Sequence, residues 1–592
     1  MVNTKNLRRL FDNNLSLITV VSLFIVSFIP RIIYISHYLD EWDSINFALG
    51  VKDFNIMAHQ PHPPGYPSYI FIARCFDLFL NNVTATLNLM SVIFGSLLII
   101  FIFLLARELF GYKVGLVSAA IAAFIPAMFV FSEVAMSDIV FACFFTACIY
   151  LLIKGLKDDR YLFFGAFLTG FTIGIRPPDC VIILIICLLV FYWKKSIAKG
   201  AYSLVFLGMG ILTWLIPVSI SCGSLTKYID LTRSMFGTYA GYGFSAIQFN
   251  NLGHLLQDGW ETTYLALTII LFFAIVLAIF DYRRALFKKE LVVERLNNKG
   301  LIILVIWLFV SAINSMAFLY LYTARYILPT FVALAIAFGL GAVYIWDRLD
   351  RKMLRAIYAL ILIALIVSTA LGTISIASKL SGIAPAPVQA AYYVKNNYSP
   401  GDTAVLASCY RHFQYYLPDY DVIYIDYLNY TSLAGSNKTR IVSDLPLAID
   451  RPSKIKEFNR DVRVEVLYTN TVLYECELYN DPLLVKGFAG ISPSPDKPVM
   501  NLSNGAEILY ISDSNTTSSV SFDLRSLDGT RNAQIDLNGR TVKVQTIPAT
   551  PVEINLSLEL KEGANVIQIN SSNVNGLDNS MPIFELSNAT MI

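Results

Sequence analysis

Up to about residue 375 the chain alternates long apolar stretches with short polar ones, and beyond that point the pattern changes. Predominantly apolar runs lie near 15–36, 83–105, 114–131, 137–153, 160–175, 179–193, 201–221, 261–280, 301–321, 326–346 and 355–377. A helix needs about 20 apolar residues to cross hydrocarbon, so these runs predict eleven spans, several near the lower length limit. After residue 385 the pattern predicts a helix at 388–397, a strand at Thr403–Ala407, a short amphipathic helix at Tyr410–Tyr416 and a strand at Val422–Ile425. From about residue 500, short alternating runs such as VSFDL, AQIDL, VKVQTI, INLSLEL and NVIQIN are separated by Asp, Asn and Gly turns, the pattern of a β-sandwich. The expected fold class is a multi-span α-helical membrane protein of about 11 transmembrane helices with an extracytoplasmic α/β plus β-sandwich tail. Its domains are 1–380 (transmembrane), 385–495 (α/β) and 500–592 (β-sandwich, a candidate carbohydrate-binding module).

Composition agrees. The chain is 56% hydrophobic and only 15% charged, against about 25% charged for a soluble protein. A net charge of +2 without a polybasic tract excludes a nucleic-acid partner. The basic residues are distributed unevenly between loops. Lys5/Arg8/Arg9, Arg107/Lys113, Lys154/Lys157/Arg160, Lys194/Lys195/Lys199, Arg283/Arg284/Lys288/Lys289 and Arg348/Arg351/Lys352/Arg355 fall on one side, and few fall on the other. The positive-inside rule puts the first side, with the N-terminus, in the cytoplasm. An odd number of spans then puts the tail outside, in a multi-pass protein of the cell membrane. The basic N-terminus MVNTKNLRRLFDNN precedes a full-length apolar run without a small-residue cleavage site, so it reads as a first spanning helix and not a removed signal. Sequons at Asn397, Asn429, Asn437, Asn501, Asn515, Asn555, Asn570 and Asn588 fit an outside tail. Among the cysteines, only Cys409 and Cys476 are candidates for a disulfide there.

Polar residues assigned to the outward face carry the candidate chemistry. Asp40, Glu41 and Asp43 follow the first span in YLDEWDS. His59 and His62 lie in HQPHPPGYP, whose prolines and glycine forbid a helix. Glu133 and Asp138 lie in FSEVAMSDIVF, Arg176 in GIRPPD and Arg325 in YTARYILP. Taken singly, each acid is accounted for as a solvated loop residue and each arginine as a snorkelling anchor. As a set they match attack on a lipid-linked phosphate ester. A carboxylate would deprotonate an acceptor hydroxyl, while Arg or His⁺ neutralises the departing phosphate. Imidazole and carboxylate also suit divalent metals, so His59 and His62 are candidate ligands, although no tight metal spacing occurs.

These motifs resemble, in order, the GT-C-fold membrane glycosyltransferases of the protein O-mannosyltransferase and lipid A aminoarabinose-transferase group. The correspondence runs through Asp40-Glu41, the turn His62-Pro63-Pro64-Gly65-Tyr66, PSYIFIARCFDLF, ARELFG, Asp138, GFTIGIRPP and Arg325-Tyr326-Ile327-Leu328-Pro329, over roughly residues 15–345. The resemblance implies an inverting transfer of a sugar, with mannose as the family-weighted choice. The donor would be a polyprenyl- or dolichyl-phosphate monosaccharide and the acceptor an extracytoplasmic protein, glycan or lipid. It implies Asp40 as general base, Glu41 beside it, Asp138 as a second cavity acid, and His62, Tyr66, Arg325 and Arg176 at the donor phosphate. WDSINF and HPPGYP also resemble a neighbouring branch with its acid in Trp-Asp-Ser-x-x-Phe, which makes Asp43 the base. Two other classes compete. A transporter of lipid-linked glycans would show internal repeats and midplane charges. A membrane-anchored adhesion protein would leave the ordered motifs unexplained.

Overall fold

The structure, a computed structural model, describes residues 4–243, 267–279, 298–317, 324–448, 453–460, 470–479, 481–492, 499–571 and 582–591. It divides into two compact units, the first reaching Ala384 and the second starting at Pro385. The first is helical: α1 (Thr4–Ile33), α2 (Trp42–Lys52), α3 (Pro67–Leu80), α4 (Val83–Phe110), α5 (Tyr112–Ala122), α6 (Pro126–Val130), α7 (Ser137–Gly155), α8 (Asp159–Ile173), α9 (Val181–Trp193), α10 (Ile197–Ser221) and α11 (Leu225–Gly243). They are followed by α12 (Leu267–Ile279), α13 (Asn298–Ala317), α14 (Leu328–Trp346) and α15 (Lys352–Gly382). Among the described residues, six helices (α1, α4, α7, α10, α14 and α15) are long and apolar enough to cross a membrane, and α5, α9, α12 and α13 are shorter apolar helices. The basic loop at 283–289 and part of the expected span at 261–280 lie outside the described residues.

The run at 114–131, read from hydropathy as one span, is divided. Pro126 lacks the amide hydrogen a continuing helix needs. Accordingly α5 ends at Ala122 and α6 starts afresh with Pro126 in its first turn. The break leaves the buried turn 131–136, which carries Ser132 and Glu133, ahead of α7.

Burial separates core helices from lipid-facing ones. The apolar windows of α7 and α14 are each 78% buried and that of α4 is 67% buried, whereas those of α1 and α15 are 17% and 6% buried. Helices so apolar and so exposed are stable only in a hydrocarbon surround. Two glycines let α8 and α10 touch backbone to backbone, as small residues do between membrane helices. A Cβ on Gly170 would strike the Leu207 carbonyl, and one on Gly210 the Phe167 carbonyl. The Trp214 indole then donates to the Gly170 carbonyl at 3.0 Å, fixing the end of α8 just ahead of Arg176.

The second unit opens with α16 (Ala386–Asn397) and a five-stranded sheet. Its strands are β1 (Thr403–Ala407), β2 (Asp421–Tyr424), β3 (Arg440–Ser443), β4 (Ser453–Asn459) and β5 (Asn470–Glu477), with α17 (Tyr410–Tyr416) after β1 and α18 (Tyr430–Ala434) after β2. The order is β2-β1-β3-β5-β4. β1 is parallel to both β2 and β3, while β5 is antiparallel to β3 and β4. The rest is an antiparallel sheet of eight strands: β6 (Leu483–Ser492), β7 (Val499–Ser512), β8 (Thr516–Ser526), β9 (Arg531–Leu537), β10 (Arg540–Ile547), β11 (Val552–Leu560), β12 (Gly563–Ser571) and β13 (Phe584–Met591). It runs β10-β9-β12-β7-β13-β8-β11 with β6 on β7, and curls so that its end strands meet, Lys543 of β10 donating to the Asn555 carbonyl of β11 at 3.3 Å. Alternate residues of β11, from Ile554 through Leu560, face the core while the intervening ones are exposed. The sheet thus begins at Leu483 rather than near residue 500. Leu406, Leu433, Leu483 and Leu509 share one apolar cluster with the α/β part. Cys409 and Cys476 are free thiols, not a disulfide. Cys409 Sγ lies 2.8 Å from an Asp444 carboxylate oxygen, while Cys476 sits on β5 opposite Ile441.

Candidate active site

Two loops carry the acids, and hydrogen bonds clasp them together. After α1 the chain turns at Ser36, whose amide donates to the Glu133 carbonyl at 3.1 Å. The Asn88 amide group on α4 holds the same loop from behind, donating to the carbonyls of Ser36 (2.8 Å) and Tyr38 (3.1 Å). Glu41 then caps α2 in a capping box with Ser44. The Ser44 hydroxyl donates to the Ala135 carbonyl at 2.7 Å. The loop leading to Asp43 and the loop leading to Asp138 are thereby stitched at two points.

The proline-rich turn brings up the histidine. Gly65 has φ +88°, and a Cβ there would strike Ile56, so only glycine fits. The Tyr228 hydroxyl donates to the Pro64 carbonyl at 3.1 Å. Tyr66 then packs edge-on against Phe47 of α2 (5.1 Å between centroids) and places its hydroxyl 3.1 Å from His62 Nε2.

The charged side chains form a continuous series. Asp43 lies 3.5 Å from His62 Nδ1 through one oxygen and 3.3 Å from Arg325 Nη2 through the other. Arg325 also donates to the Tyr326 hydroxyl at 3.1 Å. The guanidiniums of Arg325 and Arg176 lie 4.9 and 4.8 Å from the Tyr326 ring centroid. Arg176 completes the series at Asp138, 2.9 Å away, in the first turn of α7 where the helix dipole favours an anion. Asp138 is 1% exposed, Arg325 6%, Arg176 11%, His62 13% and Asp43 23%, so Asp43 is the most open member.

Burial alone would raise the Asp43 carboxyl, but His62, Arg325 and Arg176 outweigh it and hold Asp43 below the usual carboxylate range. Burial pushes Glu41 well above its ordinary value despite Arg325, and the acids Asp43, Asp40 and Asp138 add to the rise. Burial lowers His62 against the pull of Asp43, so the imidazole is uncharged at neutral pH and pairs with Asp43 as an ion only after protonation. Burial raises the Tyr66 phenol, which keeps its proton.

The structure thus gathers Asp43, Asp138, His62, Tyr66, Arg176 and Arg325, with Glu41 close enough to feel three of the charges. Asp40 is different: fully buried, with the Ser36 hydroxyl donating to its Oδ2 at 2.7 Å. His59 is exposed, in a left-handed conformation. Among the described residues no three His, Cys, Asp or Glu side chains are grouped to hold a metal ion. Reasoning from sequence gave no role to Tyr326, although it stands beside Arg325. It also passed over Arg31, fully buried over the Phe129 ring, because charge in an apolar run reads as an anchor.

No curated protein matches the chain in sequence. Among solved structures, ArnT from Cupriavidus metallidurans in the apo state is 12% identical and superposes over 78% of this chain and 98% of its own, with a TM-score of 0.50. The oligosaccharyltransferase AglB from Archaeoglobus fulgidus, complexed with an inhibitory peptide and a dolichol-phosphate, is 11% identical over 95% of this chain and 96% of its own, with a TM-score of 0.48. Architecture and motif order define the class: the fold is that of the GT-C membrane glycosyltransferases. Within that class, residues 61–220 match the family described as dolichyl-phosphate-mannose-protein mannosyltransferase.

Proposed function

We propose that this enzyme transfers a sugar, mannose by family weighting, from a polyprenyl- or dolichyl-phosphate monosaccharide to a hydroxyl of an acceptor outside the cytoplasm. The observation that carries the reading is the pairing of Asp43 with Arg325 and His62 at the opening of an otherwise buried charged series. Asp43 is the general base: its carboxylate takes the acceptor proton as the oxygen attacks the anomeric carbon from the face opposite the phosphate. The carbon–oxygen bond to phosphate breaks with inversion, and the lipid phosphate leaves with the electron pair. Arg325, with Arg176 behind Tyr326, receives that charge.

The pairing gives the base a trigger. When donor phosphate engages Arg325, the guanidinium is drawn off Asp43 and the carboxylate becomes more basic as the substrate arrives. No metal is needed in this scheme, because a divalent cation beside Asp43 or Asp138 would face the guanidiniums of Arg325 and Arg176. The tail and the site face outward, with the N-terminus in the cytoplasm, as the basic loops indicate.

The test is steady-state transfer by protein reconstituted in vesicles with a polyprenyl-phosphate mannose donor. Losing a charge-assisted hydrogen bond costs about 1.5–3 kcal/mol, so Arg325→Ala should raise the donor KM roughly 10–100-fold. Arg74→Ala should leave it unchanged, because Arg74 only caps the Val51 and Gly50 carbonyls. Equal effects of the two substitutions would refute the assignment.

A further inference from the structure

The second unit carries a feature that the transfer reaction does not use. In the parallel trio β2-β1-β3 the chain leaves β1, forms β2 on one side, then crosses to form β3 on the other. Such a reversal opens a crevice at the carboxyl ends of the strands, where open α/β sheets bind ligands. Ser408 and Cys409 follow β1, Tyr424 ends β2, and Asp444 follows β3. All three carboxyl ends therefore bear chemistry.

On the β3 side, Asp444 gathers the turn after β1. It accepts from the Ser408 amide (2.7 Å), the Ser408 hydroxyl (2.8 Å) and the Cys409 amide (3.0 Å). Ser408 is exposed and Asp444 half-buried, so a carboxylate and a hydroxyl both reach solvent there. On the β2 side stand three tyrosines. Tyr410 and Tyr424 stack at 4.8 Å with a 33° tilt, and Tyr427 sits edge-on to Tyr424 at 5.3 Å. Tyr427 is 79% exposed, an unusual position for a ring held by its neighbours.

We infer that the carboxyl ends of β1, β2 and β3 form a glycan-binding site, with Tyr427, braced by Tyr424, as the stacking platform and Asp444 and Ser408 as the hydroxyl-binding edge. The apolar face of a neutral pyranose covers an aromatic ring well, and its vicinal hydroxyls match a carboxylate flanked by a hydroxyl. A carboxylate at the rim repels an anionic lipid surface and favours the neutral glycan over a membrane contact. All of its residues belong to the second unit and none takes part in the proposed transfer step, so the proposal stands or falls independently of the transfer mechanism.

The test uses the full chain in detergent, carrying Asp43→Asn so that nothing turns over, with mannotetraose, maltotetraose and xylotetraose as probes in saturation-transfer NMR and calorimetry. At least one should receive saturation from tyrosine resonances. Tyr427→Ala should weaken its binding tenfold or more, Asp444→Asn should weaken it several-fold, and Tyr427→Phe should retain it. With Asp43 restored, Tyr427→Ala should leave transfer to a short peptide acceptor unchanged. Absence of binding by all three sugars, or equal binding by the Tyr427→Ala protein, would overturn the proposal. So would a Tyr427→Ala defect confined to phosphatidylglycerol vesicles, which would mark the tyrosines as a membrane contact.

Discussion

His62 shows how one side chain ties burial to pH. Burial lowers its proton affinity more than Asp43 raises it, so the folded protein prefers the neutral imidazole. A group depressed in this way contributes its full stability above the unfolded pKa of about 6.5, and that contribution is lost as the pH falls below it. The melting temperature should therefore drop on acidification from about pH 7 to 5, and His62→Gln should flatten the slope, as thermal unfolding across that range would show. An unchanged slope would contradict the buried neutral imidazole. Of the residues named from sequence, the fold brings Asp43, Asp138, His62, Arg176 and Arg325 together, and they stood out because charge is costly near hydrocarbon. The choice between Asp40 and Asp43 was not legible. Three residues apart in sequence, one turns to the Ser36 hydroxyl in the protein interior and the other starts α2 facing His62 and Arg325.

At the level of elements, hydropathy located the helices but not their interruptions. Pro126 divides an apolar run into α5 and α6, and the buried turn that follows supplies the Glu133 and Ala135 carbonyls that clasp the Asp43 loop. Tertiary hydrogen bonds of this kind leave no periodic trace in sequence. The second unit was easier to read: Thr403–Ala407 and Tyr410–Tyr416 occupy the predicted positions, because a Pro-Gly turn precedes an apolar run that is buried throughout. The crossing of α8 and α10 yields its own prediction. Gly210→Ala puts a methyl group against the Phe167 carbonyl, and overpacking of this sort costs about 1–3 kcal/mol. Thermal unfolding should show that loss. Transfer should fall with it, because α8 leads directly to Arg176, whereas Gly208→Ala, with open space around it, should do neither.

For the whole molecule, the proposed orientation rests on charge asymmetry between loops, and thiol labelling tests it. In a Cys75→Ser background, which removes the one exposed native thiol among the described residues, an impermeant maleimide should label Asn515→Cys on intact cells. It should label Lys157→Cys only after permeabilisation; the reverse pattern would invert the topology. The central claim, that Asp43 is the base of a lipid-phosphate-sugar transferase, is tested most directly by comparing Asp43→Asn with Asp40→Asn in reconstituted transfer assays at saturating donor. A general base contributes about 10²–10⁴-fold, so Asp43→Asn should lower kcat by that factor while Asp40→Asn, if folded, stays within about tenfold of the parent. A fully active Asp43→Asn protein, or a loss confined to Asp40→Asn, would contradict the account.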